Sequence, residues 1–550
     1  MTKKQFNNKI KQTKTIKWLI SLVLVTIFIV FSYYSSFFEF YSNFELIWER
    51  ISSLFKFNHN DIDNNINNLW LSNLRLLWVT IKTTLTGTLC GLILAFFTSY
   101  LNAINLHKKR FFAIAIKFLI SILRSFPLLI IIYFFKKIST LNLTAFLIFF
   151  WSTWLWMHRY FNDIIENSDV KKYWTEINLG KNKFRSFYKN VVLNNKNRFI
   201  MNSILAYESN IRWSSILGSI GIYGIGLFID AYKEKFEYLS ISIFYIVTLL
   251  IILESLLVLF NKFIGIRNSN ITRNINFNKT LRYNYKKIIS VLFLIIIFVV
   301  FIFGLIDLFK DTISLDNFKK YFKELMSADF SYLKGTWKFY YFDYIKAFIY
   351  TYQAIFLAVV FSLLYSFLLV EKIISLKVTL LAKFIIILLK SIPAIIYFYF
   401  IIILFSEEAT FIFMLSVIAF RALTKQISEK INSKVDKKVQ TLISLGYSKW
   451  KIYKTYLIPQ IKKDIYSFVF FEFEGTYRNA INYGIFTGVV SINTNISYFE
   501  SKDKYEYIIP LMLPSISFFI MLEFCLLFIK YKKQIKEYIK NNYYKSKPIN

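Results

Sequence analysis

Glu208 and Arg212 stand four residues apart in an apolar stretch, and Glu474 and Arg478 repeat the spacing in a second one. On a helix that spacing puts both side chains on one face, within pairing reach. A lone charge at the centre of a bilayer costs about 2.5–3.5 kcal/mol on insertion scales, so pairing is the natural solution. Two readings stay open. Either the pairs only lock neighbouring helices, or Arg212 and Arg478 flank a pathway and attract an anion. An Arg fork suits phosphonate or phosphate oxygens because it donates two parallel hydrogen bonds. The sequence holds no Ser/His/Asp set or carboxylate pair with credible spacing, and no G-x-x-x-x-G-K-S/T phosphate loop. His59, His107 and His158 are scattered, and Cys90 and Cys525 lie in separate apolar runs, so no catalytic or metal site is expected. Gly218, Gly221, Gly224 and Gly226 lack the βαβ context of a dinucleotide site. They read as close helix packing or a flexible break, as do Gly87 and Gly91.

The elements that carry these residues are membrane spans. Of 550 residues, 56% are hydrophobic and only 18% charged, with 61 Phe and 38 Tyr. The apolar residues gather in runs of about 20 or more, the length a helix needs to cross a bilayer. This predicts an all-α polytopic membrane protein and excludes a soluble enzyme, a secreted disulfide scaffold and a disordered chain. Twelve spans are expected, at about 18–39, 71–100, 111–135, 141–158, 198–228, 239–261, 288–306, 345–370, 378–404, 408–423, 464–492 and 507–530. The net charge of +35, from 68 Lys+Arg against 33 Asp+Glu, is better explained by basic cytoplasmic loops than by nucleic acid. Lys and Arg concentrate on the side that makes both termini cytoplasmic.

The chain also repeats itself. Arg124-Ser125-Phe126-Pro127 falls on Lys390-Ser391-Ile392-Pro393, 266 positions later (390 − 124). At the same offset Leu179-Gly180 falls on Leu445-Gly446, Glu208 on Glu474, Arg212 on Arg478 and Gly218 on Gly484. With only six Pro and 14 Gly in the chain, accidental pairing of these is improbable. The expected organisation is a first six-span unit over 1–265, a basic cytoplasmic linker over 266–287 and a second, parallel unit over 288–550. Such repeats place a pathway at their interface. Pro127 and Pro393 are expected to kink the third span of each half. Each half has a basic cytoplasmic loop between its fourth and fifth spans, 159–197 and 424–463. A helix can stop at Gly446, where positive φ is cheap, and a second can run on to end near Pro459. Two short helices at a fixed angle form a dock for a soluble partner; a solvated basic loop near anionic lipid is the alternative.

These segments resemble ABC-type importer permeases, specifically the phosphonate-type family. That family has a cytoplasmic loop of the form E-A-A-x-x-x-G, with Pro some thirteen residues after the Gly, as from Gly446 to Pro459. A span reading F-E-x-x-x-R then follows, with Gly six residues later, as in Phe473-Glu474 to Arg478 and Gly484, and Tyr207-Glu208 to Arg212 and Gly218. The loop Glu of the family falls on Trp174 and Gln440, and Leu193 stands where the second half has Pro459. The resemblance implies a type I importer fold, fused from two copies as in mycoplasma-type high-affinity systems. It implies Glu176, Leu179, Gly180, Leu445, Gly446 and Pro459 as loop residues that couple to ATPase subunits. Two such subunits would carry ATP and Mg, this chain binding no cofactor itself. An extracytoplasmic binding lipoprotein would deliver an organophosphorus anion of the phosphonate, phosphate ester or thiamine pyrophosphate class. The chain is then a plasma-membrane transport subunit rather than an enzyme, its halves rocking between inward and outward openings. A twelve-span secondary transporter is the alternative, but its longest loop would lie between the halves rather than inside each.

Overall fold

Apolar runs in lipid must satisfy every backbone N–H and C=O internally, and a single run does so only as a helix. The computed structural model describes residues 19–525 apart from 20, 42, 59–67, 109, 266–276 and 436. His59 and most of the expected linker therefore lie outside the described residues. The described chain is helical, with two isolated β-bridges. Its first helices are α1 (Ser21–Tyr34), α2 (Phe44–Ser53), α3 (Leu69–Asn102), α4 (Arg110–Ser125), α5 (Leu128–Ile138) and α6 (Leu141–Glu166). Then come α7 (Lys171–Asn178), α8 (Lys183–Phe187), α9 (Leu193–Leu217), α10 (Gly226–Ala231), α11 (Phe236–Gly265) and α12 (Phe277–Leu308). The second half adds α13 (Leu315–Met326), α14 (Trp337–Ser366), α15 (Leu376–Ser391), α16 (Ala394–Ile401) and α17 (Glu407–Lys434). It closes with α18 (Lys437–Ser444), α19 (Lys449–Ile452), α20 (Ile458–Gln460), α21 (Lys462–Thr487), α22 (Ile492–Ser501) and α23 (Tyr505–Cys525).

Among the described residues, 6 helices are long and apolar enough to cross a membrane, carried by α3, α11, α12, α14, α17 and α23, and up to 8 if each bent pair is one span. The bent pairs are α4 with α5, at 80°, and α15 with α16, at 91°. The other segments expected to span correspond to the short apolar α1 and to α6, α9 and α21, which are less apolar. The segments expected as third spans are thus each two helices meeting at a sharp bend rather than one gently kinked helix. Pro127 and Pro393 stand immediately before α5 and α16. A proline removes one helical donor and pushes the residue before it into extended backbone, as at Ile392 (φ −83°, ψ 124°).

The chain forms two compact units. One comprises residues 1–80, 211–262 and 342–495; the other comprises 81–210, 263–341 and 496–550. Each gathers the middle spans of one half with the first and last spans of the other. In the former, α1 lies on α14. Phe28 stacks on Phe356 at 4.6 Å, and Gln353 Nε2 donates to Ser35 Oγ at 2.9 Å. The Tyr41 N–H reaches Leu404 O at 2.6 Å, beyond the end of α16. Its core includes Ile355, Leu423, Ile427 and Leu457. In the latter unit α12 lies on α3, tied by Lys82 and Asp307, and the Ser314 N–H reaches Ile138 O at 2.9 Å, at the end of α5. The amphipathic α13 covers α5, with Phe318 and Phe134 at 5.6 Å. Gly87 and Gly91 let α3 and α6 touch: a Cβ at Gly87 would lie 2.7 Å from that of Phe149.

Candidate coupling loops and intramembrane charge pairs

The two basic loops, 159–197 and 424–463, close their first helix in the same way. Gly180 has φ 81° and Gly446 φ 80°. The Gly180 N–H donates to Ile177 O at 2.9 Å and the Lys181 N–H to Glu176 O at 3.1 Å. Gly446 and Tyr447 repeat the pattern on Ile443 O and Leu442 O, at 3.0 and 3.2 Å. This pair of bonds satisfies the last carbonyls of a helix and requires a left-handed residue. No atom lies within 4 Å of a Cβ built on either glycine, so backbone conformation alone demands glycine. Leu179 and Leu445 stand just before the turns, 72% and 68% exposed. The next helix starts on a side-chain cap, Asn182 accepting from the Phe184 N–H at 2.9 Å and Ser448 from the Lys451 N–H at 3.4 Å.

Beyond the caps both loops pass through a wide helical turn, 188–192 and 453–457. The first then runs unbroken into α9. The second continues past Pro459 to Gln460 and bends at Ile461 before α21, so its helix ends slightly later than expected. Of the two residues at the family's Glu position, Trp174 donates its Nε1–H to Asn105 O at 3.0 Å, while Gln440 is exposed. Glu176 lies 3.5 Å from Lys181 Nζ and 3.4 Å from Lys189 Nζ. Burial disfavours its carboxylate, yet its hydrogen-bonding neighbours and Lys181 outweigh that and hold its pKa below the usual value.

Glu474 and Arg478 are paired at 3.2 Å, with the carboxylate buried. Glu208 is buried on α9, and Arg212 follows one turn later on the same helix. Between them the buried Asn210 donates to Thr88 Oγ1 at 2.7 Å and Thr153 Oγ1 at 2.8 Å. These charges sit well inside their helices, and α9 stops short of the end of the span expected over 198–228. It ends at Leu217, and the glycine-rich residues form a turn with Gly221 at φ 78°. A Cβ at Gly218 would lie 1.9 Å from the Gly226 carbonyl carbon, and one at Gly484 would lie 2.4 Å from Val490 O. Close backbone approach therefore marks the end of α9, whereas α21 runs on past Gly484 to Thr487 and closes at the left-handed Gly488.

Several polar groups in the spans escaped the reading of the sequence. Lys117 and Arg124 on α4, and Lys383 and Lys390 on α15, are all in ion pairs. Arg421 on α17 donates to Leu389 O at 2.6 Å and Ile392 O at 3.3 Å, the carbonyls released at the second break. His158 lies 3.0 Å from Thr98 Oγ1 and 2.6 Å from Asn102 Nδ2, and His107 Nε2 lies 3.0 Å from Tyr100 O. Both histidines are therefore engaged in packing. Among the described residues no group of three or more His, Cys, Asp or Glu is placed to hold a metal ion. The extended repeat was the available signal: Lys117-Phe118 falls on Lys383-Phe384 at the same offset.

With this geometry in place, the sequence is similar to two mycoplasma proteins, each named ABC transport system permease protein p69. The Mycoplasma pneumoniae protein is 25% identical over 467 residues, 82% of this chain and 84% of its own length. The Mycoplasma genitalium protein is 25% identical over 503 residues, 88% and 91% of the two chains. No protein-family model matches the sequence, and no solved structure matches it. The similarity is to permease proteins of ABC transport systems, and the apolar helices are those of a membrane protein.

Proposed function

We propose that this chain is the transmembrane permease of an ATP-driven, binding-protein-dependent importer of an organophosphorus anion. Its two six-span halves stand parallel in the plasma membrane with both termini in the cytoplasm. Two ATPase subunits carry ATP and Mg and dock on the loops around Gly180 and Gly446. A binding lipoprotein delivers the phosphonate, phosphate ester or thiamine pyrophosphate from outside. The observation that carries this reading is the recurrence, 266 residues apart, of a glycine-closed helix with an exposed leucine at its tip. An apolar tip set at a fixed backbone angle suits docking better than it suits solvent. Similarity to the p69 permeases over most of the chain points the same way.

Arg212 and Arg478 are the proposed anion-attracting groups, each near a buried glutamate that offsets its charge until substrate competes. The broken third spans and the close-packed backbone at Gly218 and Gly484 supply the bends for alternating access. In the purified complex, loaded binding protein should stimulate ATP hydrolysis several-fold. Gly446→Pro, which cannot adopt positive φ, should abolish that response; undiminished transport by this variant would refute the docking role.

A further inference from the structure

Beyond the cation in its first turn, the helix before each break carries a matched pair of cations seven residues and two helical turns apart: Lys117 and Arg124 on α4, Lys383 and Lys390 on α15. Seven residues return to the same helix face about 10 Å further along. The four cations have four acidic partners, distributed by one rule. The earlier cation pairs within its own half of the chain. Lys117 meets Glu166 at 3.0 Å, and Lys383 meets Glu371 at 2.5 Å. The later cation pairs with the last span of the other half. Arg124 meets Glu523 on α23, and Lys390 meets Glu254 on α11 at 2.7 Å. Those two pairs are largely buried, with side chains 17% and 8% exposed in the first and 15% and 12% in the second. Glu254 and Glu523 both lie in helices apolar enough to cross a membrane, where an acid without a cation is costly.

Arg124 and Lys390 also occupy matched places relative to the break. Each lies three residues before its proline, in the last turn of the arm that precedes the bend. The exchanged last spans therefore grip the broken helices beside their hinge. We propose that Arg124–Glu523 and Lys390–Glu254 are a reciprocal latch. Each pair fastens the pre-break arm of one half to the last span of the other, so that each broken helix moves only with the exchanged last span that grips it. These four are positioning residues: they set where the broken helices stand and touch no substrate. The role in coupling rests on the importer reading above, whereas the cross-half pairing does not.

The test uses the full chain in membranes, with Cys90→Ser and Cys525→Ser and a protease site inserted within 266–276. Lys390→Cys with Glu254→Cys, and separately Arg124→Cys with Glu523→Cys, should cross-link through a short thiol reagent. After cleavage at the inserted site, the halves should stay joined on a denaturing gel. The control Lys117→Cys with Glu166→Cys should leave them separate. Halves that separate in both test pairs would overturn the latch, whatever the protein imports. In the reconstituted complex, Lys390→Glu should raise ATP hydrolysis without loaded binding protein by several-fold and reduce uptake at least tenfold. The exchanged pair Lys390→Glu with Glu254→Lys should restore both. Wild-type coupling in Lys390→Glu would overturn the latch, as would an exchanged pair that folds yet stays uncoupled. Joined halves in a wild-type complex that ignores ATP would instead refute the importer reading and support the latch as an intramolecular tie.

Discussion

The two broken third spans reach nearly the same bend by different means. At the second break, Arg421 donates to Leu389 O and Ile392 O, and the Tyr397 hydroxyl also donates to Leu389 O at 2.6 Å. The residue 266 positions before Arg421 is Leu155, a buried apolar side chain. The first break is framed by buried apolar groups, among them Leu129, Ile132 and Tyr133. The fourth spans reverse this contrast one turn further on. His158, with Thr98, Asn102 and Trp154, makes a buried polar cluster in the first half. The matched residues in the second half are Thr424, Leu364, Leu368 and Phe420. Proline and the exchanged neighbours thus set the bend, and each half has found its own way to satisfy the polar groups around it.

The largest effect is expected at Arg421. Arg421→Leu, which installs the first-half residue, should destabilise the protein by about 3 kcal/mol, since charge-assisted hydrogen bonds contribute about 1.5–3 kcal/mol each. Thermal unfolding in detergent reads this, and Arg421→Lys should fall between, because an ammonium keeps the charge but loses the planar guanidinium that lies over the Tyr397 ring. An unchanged melting temperature would remove the contrast between the breaks. Next comes the polar cluster. His158→Leu alone should cost about 1–3 kcal/mol by leaving Asn102 and Thr98 unsatisfied, whereas the triple variant that gives His158, Thr98 and Asn102 their second-half counterparts should be close to neutral. Equal losses in the single and triple variants would show that the cluster is more than mutual satisfaction.

The loops should behave alike. Gly180→Ala and Gly446→Ala should each cost about 1 kcal/mol, because both glycines are left-handed and neither is short of space. A marked difference between them would break the equivalence of the two loops. The smallest effect separates the loops again. Glu176 has a depressed pKa, and its counterpart in the second loop is Leu442. A carboxylate lowered in the folded state stabilises above its unfolded value of about 4.3 and ceases to do so as pH falls through the folded value. Protection of the Lys181 amide from hydrogen exchange should therefore weaken below about pH 4, while that of Tyr447 should not.

Much of this architecture was legible from composition and spacing. Apolar runs gave the helices, and Pro127 and Pro393 marked the breaks. Gly180 and Gly446 marked turns that only positive φ can close. The end of α9 was misplaced because Gly218 to Gly226 sits in an apolar stretch, and hydropathy does not register that two backbones must touch there. The exchange of first and last spans was not legible from periodicity, which says nothing about a segment's neighbours. A trace did exist. Glu254 and Glu523 are acids in otherwise apolar helices, and Arg124 and Lys390 are cations in others. Such charges seek one another in a membrane, but their partners lie 136 residues apart in one pair and far more in the other.

Uptake into proteoliposomes separates an ATP-driven importer from a gradient-driven carrier. Solute should accumulate only when this chain, its ATPase subunits, ATP and loaded binding protein are all present, and leaving out any one should abolish uptake. Accumulation driven by an ion gradient in vesicles containing this polypeptide alone would contradict the importer reading.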